Sequence, residues 1–337
     1  MNKCFLTSFF IFYRFLILVE VQSLNKMENA SKINTYLVLV GIMEMEHLRH
    51  LYATLALIIY IVTMIMCSMM VYTVWSEETL HEPMYIFIGN LLVNAMTANS
   101  AVLLKLGIDL LFNFNTISLT GCLLQAFCVQ SCASIEYFTF TVMAYDRYLA
   151  VCHPLRYPTL MTNGRAFQII FVELIFVFAV VGTAVSLVTR LSLCGMNINT
   201  IACETFTLLH LACGDTTVNN IYGTILTLTM IVGCILVVIY CYIRTVLVCL
   251  KISAESRQKA IHTMVTHIVT FSTYLATTLF VTFRYRLGSG SLSVVSQVFI
   301  YITCLIISVL MNPLIYGIRM EVLRIKMIAK FQKICWT

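Results

Sequence analysis

Charge is what this sequence has least of. Only 11% of its 337 residues are Asp, Glu, Lys or Arg, where a soluble domain carries about 25%. That shortage excludes a water-exposed globule of this size. Proline and glycine are scarce as well, at 4 and 13 residues, which excludes a collagen-like or disordered chain. Paired carboxylates, nucleophile–base spacings and metal-ligand clusters are missing outside the apolar runs, so neither an enzyme nor a cofactor or metal is expected. No repeat relates the two halves, which argues against a transporter built from inverted repeats.

What the chain has instead is apolar length. It is 60% hydrophobic, with mean hydropathy +0.92. A membrane span needs about 20 apolar residues. Spans are expected near Leu51–Trp75, Pro83–Lys105, Gly121–Tyr148, Ala166–Thr189, Asn219–Leu250, Ala260–Phe283 and Leu292–Gly317. The expected fold is an all-α membrane protein: a seven-transmembrane helix bundle over 51–317 with a short amphipathic C-terminal helix on the membrane surface. It leaves no room for a soluble catalytic domain.

Charge placement orients the bundle. The net charge of +6 reads as cytoplasmic loops and not as nucleic-acid binding. Arg147, Arg156 and Arg165 fall in one loop, Arg244, Lys251, Arg257 and Lys259 in another, and Arg319, Arg324, Lys326, Lys330 and Lys333 in the tail. The opposite loops hold only Lys105, Arg190, Arg284 and Arg286. The C-terminal tail, 318–337, is therefore expected in the cytoplasm, and residues 27–50 outside the plasma membrane. One loop breaks the rule: Glu77, Glu78 and Glu82 make the first inner loop acidic. Residues 1–26 hold an apolar run, Cys4 to Val19, broken by Arg14. They read as an upstream extension before Met27, with a cleaved signal as the alternative. Asn29-Ala30-Ser31 is a glycosylation sequon on the expected outer side.

Met143 to Tyr157, MAYDRYLAVCHPLRY, ends one apolar run. Its adjacent Asp146 and Arg147 belong at the membrane rim, where charge is tolerated. Pro154 stops the helix. The string resembles the end of the third helix in odorant receptors, a branch of the rhodopsin-like G-protein-coupled receptors. Leu80 to Tyr85, LHEPMY, is similar to their first-loop motif, with Glu82 the variant associated with fish members. The start at Met27, MENASKINTY, also resembles fish-type members. Asn312 to Tyr316, NPLIY, matches their NPxxY motif. Lys259 to His267, KAIHTMVTH, resembles KAxSTCxxH, departing at His262 and Met264. Further departures are Cys67 for the span-one Asn, Cys234 for the span-five Pro, Val309 in PMLNP, and Tyr274-Leu275-Ala276 for the aromatic-glycine step.

The resemblance implies roles. Asp146, Arg147, Tyr148, Tyr242, His267, Asn312, Pro313 and Tyr316 would form the switch toward a heterotrimeric G protein of the stimulatory olfactory type. Arg147 would pair with Asp146 at rest, and Asn312 would satisfy the carbonyl that Pro313 leaves without a donor. Cys122, Cys194, Cys203 and Cys213 lie on the expected outer side, and four cysteines allow three pairings. The resemblance implies Cys122–Cys203 and Cys194–Cys213. A small, partly apolar odorant would bind among Val129, Gln130, Ala133 and Ser134, Leu226 and Met230, and Tyr274, Thr278 and Thr282. Glu136 falls near the bilayer midplane, where a carboxylate needs a partner, a proton or an ion. Ala95 replaces the family's span-two acid, so a sodium site is in doubt and a neutral Glu136 stands beside it. Glu173, a second intramembrane acid, has no account at this level. The competing readings are a receptor for a non-odorant messenger, and a transporter or channel moving solute past Glu136 and Glu173.

Overall fold

The computed structural model describes residues 36–251, 254–286 and 293–335. Residues 1–26 and Asn29 lie outside them, as do the side chains of Lys259, His262, Arg284, Arg286 and Val309. Seven long helices dominate the described residues: α1 (Arg49–Ser76), α2 (Pro83–Asn99), α3 (Leu119–Cys152), α4 (Asn163–Val188), α5 (Thr217–Cys249), α6 (Ala254–Arg286) and α7 (Val294–Arg319). A further helix, α8 (Glu321–Cys335), follows. The chain is a seven-helix membrane bundle.

Local chemistry sets the helix ends. Pro83 occupies the first turn of α2, where its missing N–H costs nothing. Ser118, Thr162 and Ser293 cap α3, α4 and α7 by accepting from Gly121, Arg165 and Ser296 N–H groups at 3.2, 3.3 and 3.3 Å. α2 runs past the expected stop at Lys105, through a π-helical turn at Ser100–Leu104, into Lys105–Phe112. It ends at Asn113, whose left-handed φ of 59° suits a C-terminal cap.

Burial then sorts the helices. On α1, Leu51, Leu55, Ile58, Val62 and Ile65 are exposed, while Ala53, Ala56, Thr63, Cys67 and Met70 are buried. α4 and α5 likewise expose Phe171, Val172, Ile175, Ile221, Ile225 and Leu228. These apolar outer stripes fit hydrocarbon. Five of the helices are apolar and long enough to cross a membrane on composition alone. α3 differs because it carries Glu136, Asp146 and Arg147. It is wrapped by α2, α4, α5 and α6, so its polar side chains face protein. At 34 residues it is roughly 51 Å long, at about 1.5 Å per residue.

One end of the bundle is closed by a cap that the apolar runs do not announce. Strand β1 (Tyr36–Leu39) pairs antiparallel with β2 (Thr116–Ser118) and parallel with β3 (Asn197–Ile198). Leu37 and Leu39 point inward and are fully buried, the period-2 pattern of a half-buried strand. Gly41 follows, against the loop that carries β3. A Cβ there would meet the Thr200 carbonyl carbon at 2.7 Å and its oxygen at 2.8 Å. Gly41→Ala is therefore expected to push the loop outward and to cost about 1–3 kcal/mol as an overpacking change. A drop in thermal midpoint of the purified protein measures it.

The opposite end explains the acidic loop. Glu77 bonds Lys326 at 3.0 Å and Lys330 at 3.1 Å, joining the end of α1 to α8. Lys330 also donates to Ser76 and lies 4.9 Å from the centre of the Tyr72 ring. Hydrogen bonds from Lys326, then Lys330, hold the Glu77 carboxyl below the usual carboxylate range. The acid that breaks the charge rule is a docking point for the basic helix.

Candidate functional site

The helical faces that meet beneath the cap enclose a cavity of roughly 210 Å³. Val129, Gln130, Ala133 and Ser134 line it from α3, as expected, at the i, i+1, i+4, i+5 spacing of one helix face. Tyr274, Thr278 and Thr282 line it from α6 and Met230 from α5. Leu226 does not line it. Thr227, Met230 and Ile231 form the cavity face of α5, and Leu226 is turned about a quarter turn from that face at 3.6 residues per turn. The cavity also takes Tyr137 from α3, Glu204 and Phe206 from the cap loop, and Tyr301 and Cys304 from α7. Reading the span faces alone misses the loop pair, because only the fold brings Glu204 and Phe206 over the bundle.

Two cystines fix that loop. Cys122 pairs with Cys203 and Cys194 with Cys213, at Cα separations of 5.2 and 5.5 Å. This is the pairing that the resemblance implies. Gln125 adds a third tie: it accepts from the Cys203 N–H at 2.9 Å and donates to the Ala101 carbonyl at 2.8 Å.

Below the cavity, α3 is locked by polar bonds. Tyr274 donates its hydroxyl proton to the Ala133 carbonyl at 2.8 Å, and its ring meets Tyr137 edge-on at 4.9 Å. Asn312 donates to the Glu136 carboxylate. The bond carries the Asn312 amide across from α7 to α3. Glu173 also gains an account. Asn90 donates to Thr139 at 3.0 Å and Thr139 donates to Glu173 at 2.9 Å, a relay linking α2, α3 and α4. Sequence offered no signal for Asn90 or Thr139, since neither belongs to a motif. Neither acid lines the cavity. Glu136 is met from α7 by Asn312 and Glu173 from α3 by Thr139. Glu173→Gln keeps an acceptor for Thr139 and is expected to fold normally. Glu173→Leu leaves that buried hydroxyl without its acceptor and costs about 1–3 kcal/mol, read as a lower thermal midpoint.

The opposite end of α3 carries Asp146, Arg147 and Tyr148 of the expected switch residues. Asp146 is buried and accepts from Tyr157 at 3.0 Å. Among the described residues no ion pair within 4.0 Å joins it to Arg147, whose charge nonetheless acts on its carboxyl; its hydrogen bond runs to the following loop. The reason is geometric: consecutive helical residues point in different directions. The Arg147 Nε is buried without a hydrogen-bond partner among the described residues. His267, Tyr242 and Tyr316 all lie close enough to feel the Arg147 charge. His267 Nδ1 is 3.3 Å from the Tyr316 hydroxyl, joining α6 to α7. Tyr148 turns outward to His153 at 3.1 Å. Pro313 lies within α7.

Comparison with known proteins agrees with this arrangement. The family model described as olfactory receptor matches residues 56–333. Olfactory receptor 5AP2 of Mus musculus is 31% identical over 294 residues, covering 87% of this chain and 92% of its own length. Human olfactory receptor 11A1 is 34% identical over 290 residues, covering 85% and 90%. Human olfactory receptor 5AC2 is 30% identical over 287 residues, covering 85% and 92%. With a capped helix bundle, two cystines and a family match along most of its length, the chain belongs to the olfactory receptor family.

Proposed function

We propose that this receptor binds a small odorant in the cavity beneath the cap and activates a stimulatory, olfactory-type G protein at the opposite end, raising cAMP. As a family member it is a multi-pass G-protein-coupled receptor of olfaction and not an enzyme. One observation carries the coupling. A single helix, α3, lines the cavity as far as Tyr137 and carries Arg147 ten residues on, roughly 15 Å along its axis. An odorant that prefers one packing of α3 against α6 and α7 shifts the population toward it. Asp146, Arg147, Tyr148, Tyr242, His267, Asn312, Pro313 and Tyr316 are the groups that rearrange, opening a groove for a G-protein helix.

In this reading the cap, with residues 27–50, faces outside the plasma membrane, and residues 318–337 lie in the cytoplasm. The basic residues near α8 and in the loops beside Arg147 support that orientation. Asn29 is then open to glycosylation. Glu82 and the MENASKINTY start support a fish-type receptor of water-borne odorants. The test is a panel of amino acids, bile acids, nucleotides, alcohols and aldehydes, read as cAMP in transfected cells. A response abolished by Ala133→Trp, which fills the cavity, is expected. A response that survives it places the ligand elsewhere.

A further inference from the structure

The cavity wall has two parts. Helices α3, α5, α6 and α7 supply most of it, while Glu204 and Phe206 come from the cap loop. A loop residue keeps its place only where bonds fix it. Those bonds converge on Gln125, which does not itself line the cavity.

Cys203, just before Glu204, is tied to Cys122 through its side chain. A side chain turns about its single bonds, so the bridge alone fixes where Cys203 lies and not how its backbone is oriented. The Cys203 N–H donates to the Gln125 side-chain oxygen at 2.9 Å, which sets that orientation. The segment beyond it is stiff. Glu204 is extended and leads directly into a short helix, Thr205–Leu211. The Thr207 hydroxyl accepts from the Glu204 N–H at 3.2 Å and donates to the Glu204 carbonyl at 2.7 Å. Leu208, next along, is fully buried. Glu204 to Leu208 therefore move as one piece, and Phe206 moves with them.

Gln125 is anchored on its other side as well. Its amide N–H donates to the Ala101 carbonyl at 2.8 Å, inside the π-helical turn of α2. Such a turn interrupts the regular helical ladder, and Gln125 bonds a carbonyl within it. One buried amide thus spends its oxygen on the cap and its nitrogen on α2. Ala126, the next residue, faces the cavity, and Gln125 is turned about 100° away from it on the helix.

We infer that Gln125 is a positioning residue: it seats the Glu204–Phe206 roof over the cavity and so sets the largest molecule that the cavity admits. Its bearing on odorants rests on the cavity being their site.

The test needs no odorant, because Cys304 on the wall is a thiol. Purified full-length receptor in lipid nanodiscs is treated with N-methylmaleimide or the bulkier N-benzylmaleimide, and labelling of each cysteine is read by peptide mass spectrometry. A protected group reacts at a rate set by its local opening. Gln125→Met leaves the Cys203 N–H and the Ala101 carbonyl without their partner. It is expected to raise N-benzylmaleimide labelling of Cys304 about five- to hundredfold, and N-methylmaleimide labelling less. Gln125→Glu keeps an oxygen for the Cys203 N–H in either protonation state and is expected to label as the wild type does. Phe206→Ala opens the roof directly, and adding Gln125→Met to it is expected to give little further rise, since both act on one unit. Cys67 and Cys241, fully buried in the core cluster away from the cap, report unfolding and are expected to stay unlabelled. Where Gln125→Met exposes them, Gln125→Asn is read in its place, with the same rise expected, because its shorter side chain draws the amide away from both partners. Unchanged Cys304 labelling, an equal rise for both reagents, or full additivity with Phe206→Ala overturns the inference. So does a rise that Ala133→Trp fails to slow, since the reagent then does not pass through the cavity. The odorant reading fails separately, where a cAMP response survives Ala133→Trp.

Discussion

Cys122→Ala is expected to remove most folded receptor from the cell surface. The bridge from Cys122 to Cys203 closes a separation of 81 residues. In the chain-entropy description a loop of that size is worth about 4.5 kcal/mol. That is a large part of the roughly 5–15 kcal/mol by which folded proteins are stable. The same bridge holds the cap loop over the cavity, with Gln125 accepting from the Cys203 N–H beside it. Cys194→Ala opens a separation of only 19 residues, worth about 3.2 kcal/mol by the same estimate, and removes no anchor on α3. Surface labelling and the thermal midpoint of both variants check the ranking. Equal loss from both, or full display of the Cys122 variant, contradicts the role given to the first bridge.

Arg147→Ala is expected to do the reverse: silence signalling and spare the fold. Asp146 is held by Tyr157, and no bond from Arg147 supports it. The Arg147 Nε is buried and unpartnered among the described residues, so its removal takes away a desolvation cost. What is lost is a charged donor for the arriving G protein. A hydrogen bond to a charged group is worth about 1.5–3 kcal/mol, so nucleotide exchange driven by the receptor is expected to fall about ten- to hundredfold. Surface display and cavity affinity stay near normal. Exchange assays on purified protein measure the fall, and an undiminished rate removes Arg147 from the switch.

The parts legible from sequence were those written in local pattern. Long apolar runs produce α1, α2, α4 and α5, because a span must satisfy its backbone within itself. The string from Met143 to Tyr157 marks one end of α3, and the spacing of α3 and α6 residues reaches the cavity. The rest depends on contacts between distant segments. Tyr36–Leu39 becomes a strand only because the loops bearing Thr116 and Asn197 come to it. The Asn90–Thr139–Glu173 relay spans three helices whose rotation no motif fixes. Leu226 failed for the same reason: the cavity face of α5 is set by packing, and Thr227 is on it. Glu77 looked like an exception to the charge rule until the fold placed Lys326 and Lys330 against it.

The central claim is that the cavity beneath the cap and the Arg147 end of α3 are one coupled system. Linkage makes it measurable, since a ligand that favours the G-protein-bound packing must bind more tightly when the G protein is present. The decisive measurement is the affinity of the strongest activator in the panel for purified receptor, with and without nucleotide-free G protein. The account predicts a gain of about 5- to 150-fold, reversed by a guanine nucleotide and absent in the Arg147→Ala variant. An affinity unchanged by the G protein would contradict it.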